Sequence, residues 1–133
     1  MIKVLLSIKP EFAKKIFDGT KLFEFRKVLF QRTDVSNVIV YVSSPVQRVL
    51  GEFTIDSIVS GSLSAVWKKT SISSGISYDF FISYFSGHTI AHAIKIGKVI
   101  KYKTPKTLDH YAVEHAPQSF VYVEDFNDNF LLF

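Results

Sequence analysis

The sequence predicts a single α+β domain whose sheet is curled or closed into a barrel. Strand-like runs dominate, about five to seven of them, with about three short helical segments between. No Pro/Gly-rich linker, internal repeat or low-complexity stretch divides the 133 residues. Many short strands in so small a chain favour curling, because closure removes exposed edges. Composition allows a packed core: 47% of residues are hydrophobic, and 13 phenylalanines supply enough bulk to specify packing.

The opening run IKVLLSI (2–8) is β-rich and apolar on both parities, as a buried strand requires. The period then changes. In PEFAKKIFDG, Phe12, Ala13, Ile16 and Phe17 share one helical face, and Glu11, Lys14, Lys15 and Asp18 share the other. Pro10 suits the first helical position and Gly19 the C-terminal cap, so a helix is expected over 10–18. KLFEFRKV (21–28) alternates: Phe23 and Phe25 face one way, while Leu22, Glu24, Arg26 and Val28 face the other. VSNVIVYVSSP (35–45) gives a third strand, ended by Pro45. RVLGEFTIDSIVSG (48–61) gives a long fourth, with Gly51 as a bulge or close-approach point. LSAVWKKT (63–70) is weakly helical. SYDFFISYFSG (77–87) has Phe81, Tyr84 and Phe85 at helical spacing and Gly87 as a stop. TIAHAIKIGKVIKYKTP (89–105) reads as two strands, or as one strand bent at Gly97. A turn or short helix over 108–112 leads to a last strand in QSFVYVEDF (118–126).

The absence of cysteine excludes a disulfide framework, a thiolate metal site and a cysteine nucleophile, and it fits a cytoplasmic protein. The apolar run after Met1 ends at Lys9 and Pro10. It is too short for a signal-peptide core or a membrane helix, so no membrane contact is expected. Residues 1–108 hold all 16 basic residues and 7 of the 12 acids, a balance of +9. The remainder holds five acids and no Lys or Arg. A basic body with an acidic end can attract a polyanion. It can equally be a solvated surface whose halves partly neutralise each other.

The stretch GTKLFEFRK (19–27) sets Lys21, Glu24 and Arg26 among phenylalanines. Glu24 and Arg26 are two apart, on one strand face and about 6.5–7 Å apart along the chain. That separation is long for an ideal ion pair and right for two groups reaching into one cleft. Lys21 follows the Gly19 turn, before strand parity binds. Arg offers a planar fork for phosphate or a base edge. Glu can accept from an exocyclic amine or act as a general base. Lys can neutralise phosphate, or act as a nucleophile if desolvated. A charged, solvated strand face fits the same spacing.

In this order and context, LSIKPEFAKKIFDGTKLFEFRK resembles the opening of an ASCH domain, a member of the PUA-like superfamily. The hallmark Gly-x-Lys-x-x-Glu-x-Arg is matched by Gly19, Lys21, Glu24 and Arg26. VYVSSPVQRVLGEFTI resembles the family's next strand pair, and AIKIGKVIKY and QSFVYVED its later strands. The resemblance runs from about residue 3 to about residue 125, with 62–90 undiagnostic. It implies one ASCH/PUA-like domain over residues 1–133, a mixed β-barrel with a cleft between barrel and helices. It further implies RNA, nucleoside or nucleobase binding there; no cofactor or metal is expected. Lys21, Glu24 and Arg26 would line that cleft. Lys9, Ser43 and Ser44 would add polar contacts, and Gln118 and Ser119 would close the rim. One branch of the family hydrolyses N4-acetylcytidine. This sequence is similar to it at Lys21 and Arg26, but carries Glu24 where that branch has a threonine nucleophile. The covalent route is thereby lost, although a Lys21–Glu24 pair could still activate water. A small amidohydrolase, or another nucleic-acid-processing enzyme with Lys21 and Glu24 as catalytic groups, is therefore the alternative function.

Other features are less specific. KIGKVIKYKTPK (95–106) holds five lysines and no acid, which suits single-stranded nucleic acid or a lysine-protected edge strand. His88 and His92 are four apart, but their segment reads as a strand, where that spacing does not converge on a metal. Trp67, Tyr78, Phe80, Phe81, Tyr84 and Phe85 read as core rather than a stacking platform. The apolar end NFLLF (129–133) must dock on its own domain or on a partner. A protein-interaction module, dimerising through that tail, is the third expectation.

Overall fold

The computed structural model of the chain describes residues 1–124. The element order is β1 (Ile2–Ile8), α1 (Pro10–Asp18), β2 (Phe23–Arg26), β3 (Val35–Val42), β4 (Arg48–Ser62), α2 (Leu63–Thr70), α3 (Tyr78–Tyr84), β5 (Ile90–Lys106) and β6 (Val121–Glu124). Short 3-10 turns cover Ser71–Ser73 and Leu108–Tyr111. The tail proposed as a docking segment lies outside the described residues.

The strands form one mixed sheet in the order β2-β5-β4-β3-β1-β6. Only β1 and β3 pair in parallel, with α1 inside their connection. The expected closed barrel is not formed. Strands β2 and β6 remain the two edges, and no backbone ladder joins them among the described residues. The physical reason is strand length. β2 spans four residues, all paired with β5, and β6 starts at Val121, three residues later than expected. Side chains bridge the gap instead. Arg26 donates from Nη2 to the Ser119 carbonyl (2.8 Å) and from Nη1 to the Ser7 carbonyl (3.4 Å). This seam is where the cleft lies.

Alternation along the strands divides the core. Val4, Leu6 and Ile8 face a buried cluster with Val38, Val40, Val42, Phe53, Ile94 and Ile96, which α1 covers with Ala13 and Ile16. A nine-residue helix is marginal alone, so this burial holds it. Each fully buried aliphatic side chain contributes about 1.5–3 kcal/mol. Pro10 starts α1, and Gly19 ends it at φ +85 with its N–H on Ile16 O. On the other face, Phe23, Phe25, Ala91 and Ala93 pack with Val66 of α2 and with Phe81 and Phe85. Elsewhere, Glu52 accepts from Lys3, Asn37 (2.6 Å) and Tyr102 (2.8 Å), a buried polar network with its acceptor and donors matched.

The segment 89–105 folds as one long strand, not two. It bends with β4 through register shifts on either side of Ile55. Gly97 lies where a side chain would strike Thr54. Gly51 sits at another shift, backed by the Ile100 carbonyl and the Phe17 ring, which is the close approach its position in the sequence suggested.

Candidate functional site: a charged cavity at the sheet seam

The turn after α1 places Lys21. Gly19, Thr20 and Lys21 fold back on the last turn of the helix, with Thr20 N and Lys21 N both donating to Lys15 O. Lys21 is thereby driven inward, and its side chain is only 2% exposed. Its ammonium donates to Ser74 O at 2.6 Å. It also lies 4.9 Å from the centre of the Phe25 ring and 5.2 Å from that of Phe12. The loop that receives it is held by three consecutive carbonyls. Ser73 O accepts from Leu22 N, Ser74 O from Lys21 Nζ, and Gly75 O from Lys15 Nζ. Gly75 has φ +72, and a Cβ there would stand 2.7 Å from the Lys21 chain. Glycine is required on both counts.

Strand β2 places the other two charges. Glu24 pairs with Ile94 and Arg26 with His92 across the β5 ladder, so both turn away from the Phe23/Phe25 face. Glu24 is 6% exposed. Its Oε2 accepts from Arg26 Nη1 at 3.3 Å, and its Oε1 has no hydrogen-bond partner among the described residues. Burial pushes the Glu24 carboxyl above the ordinary carboxylate range, against the pull of Arg26 and Lys21. Burial also pushes the Lys21 ammonium down to about 8, with Glu24 opposing the shift. An acid raised beside a base lowered is an arrangement that general acid–base chemistry uses.

These groups border a cavity of about 330 Å³. Lys9, Lys21, Glu24, Arg26, Gln118 and Ser119 all line it. Ser43 and Ser44 do not; they begin the β3–β4 turn, where Ser43 N donates to Ile8 O. The motif left several lining residues unseen: Ser7, Phe12, Lys27, Ile76, Phe80 and Tyr84. The aromatic cluster, expected to be core throughout, is split. Phe81 and Phe85 are fully buried, with Trp67 tilted against Phe81 at 4.8 Å between ring centres. The neighbouring stripe, Phe80 and Tyr84, instead walls the cavity. Tyr84 OH donates to Phe25 O, and Lys27 Nζ sits 4.7 Å from its ring centre. The i, i+4 spacing of Phe80 and Tyr84 was visible, but it matches that of Phe81 and Phe85. Packing decides which pair faces the sheet. His92 is a strand residue whose Nδ1 lies 2.7 Å from Ser60 Oγ, outside the cavity lining.

A basic, aromatic-walled pocket in the seam of a curled six-stranded sheet defines a class of small α+β binding domain. No protein-family model matches the chain. Solved structures do. The chain superposes on the ASCH protein of Zymomonas mobilis with a TM-score of 0.85 at 26% identity, covering 98% of this chain and 93% of that one. It is 29% identical over 85 residues to an ASCH domain-containing ribonuclease of the same species, covering 64% of this chain and 57% of the relative. It is also 34% identical over 125 residues to a large ribosomal subunit protein uL22 of Ureaplasma parvum. That match covers 91% of this chain but only 39% of the ribosomal protein's length. The chain thus resembles ASCH domain proteins over nearly its whole length, and its fold is of the PUA-like α+β kind. Among the described residues, no helix is long and apolar enough to cross a membrane.

Proposed function

We propose that this domain binds single-stranded RNA, or a nucleoside released from it, in the seam cavity, and that it works in the cytoplasm. The observation that carries the reading is the convergence of Lys21, Glu24 and Arg26 on one aromatic-walled cavity large enough for a small ligand. Charges held at a cavity against the cost of burial are a mark of functional sites. Lys9 and Lys27 at the rim suit phosphates, and Phe12 and Phe80 suit a stacked base. The name of one relative, an ASCH domain-containing ribonuclease, lends support.

The test is fluorescence anisotropy with a labelled single-stranded RNA at two salt concentrations, wild type against Lys21→Met. Binding should weaken by about 0.7 log unit per neutralised phosphate for each tenfold rise in salt. It should fall sharply in the variant. Salt-insensitive binding, or binding unchanged in Lys21→Met, sinks the proposal.

A second reading is RNA-processing chemistry at the same cleft. The Lys21 ammonium, at about 8, is poised to trade a proton near neutral pH, which suits a general acid or base. Turnover of RNA or of an acylated nucleoside that disappears in Glu24→Gln, with binding retained, would establish it.

A further inference from the structure

The chemistry of the cavity's inner end specifies which base it takes, an inference that rests on the cleft-binding reading above. Glu24 is almost fully buried, yet its Oε1 has no hydrogen-bond partner among the described residues. Among the described residues no fully enclosed side-chain oxygen or nitrogen goes unpaired, so this oxygen faces the cavity that Glu24 lines. When ionised it can only accept. Two cations line the same cavity from different walls. Arg26 touches Oε2 and is anchored toward Ser7 and Ser119. Lys21 is anchored toward Ser74 and gives that carbonyl one of its three N–H groups. The cavity thus offers two cationic donors and one free acceptor.

We infer that the cavity is built for a ring edge that reads acceptor, donor, acceptor, the imide edge of uracil, and that uridine is its preferred RNA nucleoside. In uracil the N3–H lies between O2 and O4. The N3–H would meet Glu24 Oε1, and the two carbonyls would meet Lys21 and Arg26. Cytosine sets an N3 lone pair against the carboxylate and leaves it unpaired. Guanine turns an amino group toward a cation, and adenine has one acceptor beside its amine. An unpaired buried carboxylate is the expensive outcome, so rejection here is stronger than attraction. A flat ring also suits the walls, where Phe12 and Phe80 meet edge to face at 5.2 Å.

The experiment measures affinities of labelled oligouridylate, oligocytidylate and oligo-3-methyluridylate of one length, at pH 7. The third probe lacks the N3–H. The proteins are wild type, Glu24→Gln and Lys21→Met, each checked for folding by circular dichroism. Oligouridylate should bind about 10-fold or more tighter than either other probe, the worth of one charge-assisted hydrogen bond. Glu24→Gln should narrow the uridine–cytidine gap, because its amide can donate to cytosine N3. Equal affinity for all three probes, lost in Lys21→Met, overturns the base assignment and leaves the cleft reading standing. Equal affinity retained in Lys21→Met, or no binding by any probe, overturns both.

Discussion

Replacing Lys21 by methionine should make the protein more stable while removing its binding. Lys21 is protonated below about 8 in the folded chain, against an ordinary value of 10.5. At about 1.4 kcal/mol for each tenfold change, holding that charge in the fold costs about 3 kcal/mol at neutral pH. Methionine keeps the apolar packing against Phe12, Phe25 and Gly75 but loses the hydrogen bond to Ser74 O, about 1 kcal/mol. The net expectation is a gain of about 2 kcal/mol at pH 7. Because the folded pKa is lowered, the unfolded chain holds a proton that the folded one lacks between about 8 and 10.5. Wild-type stability therefore rises relative to the variant across that window, so the advantage of Lys21→Met vanishes within it and reverses to a deficit of about 1 kcal/mol above it. Urea denaturation of both proteins at pH 7 and pH 10.5 measures the difference. A variant less stable than wild type at pH 7 would refute the reasoning, for it would show Lys21 acting as a structural cation.

Three further expectations concern the same elements. Ligand affinity should be bell-shaped in pH. It falls on the alkaline side through about 8 as Lys21 loses its proton, and on the acid side at a pH above Glu24's ordinary 4.5; a binding titration in which Lys21→Met lacks the alkaline limb checks this. Gly75→Ala should destabilise by about 1–3 kcal/mol through positive φ and the clash with the Lys21 chain, read as a lower urea midpoint together with weaker RNA binding. Gly51→Ala should lower the midpoint by a similar amount, about 1–3 kcal/mol, but leave the affinity of the folded fraction unchanged, because it crowds Ile100 and Phe17 on the far side of α1.

Local chemistry made the secondary structure legible. The Pro10 start and Gly19 stop of α1, the alternation of β2 and the close approach at Gly51 all follow from residue types at fixed offsets. Whether the sheet closes is a different kind of question. It depends on whether β2 and β6 are long enough to meet, and hydropathy marks those strand ends only within a few residues. The site divides the same way. Lys21, Glu24 and Arg26 stand in one short motif, and the structure gathers them. The loop at 71–77 offers Lys21 and Lys15 only carbonyl oxygens, which every residue possesses, so no side-chain pattern could announce it. Phe80 and Tyr84 were hidden by their twins, Phe81 and Phe85.

The arginine bridge across the open edges has a mechanical consequence. A barrel closed by strand pairing can be pried apart only by breaking a ladder of backbone bonds. Here one guanidinium serves as a clasp, and it is also a wall of the cavity. A ligand that draws Arg26 away from Ser119 unfastens the seam, and one that leaves it in place tightens the mouth around itself. Occupancy and the width of the opening are therefore set by the same side chain. Amide exchange along β2 and β6 should therefore report ligand binding.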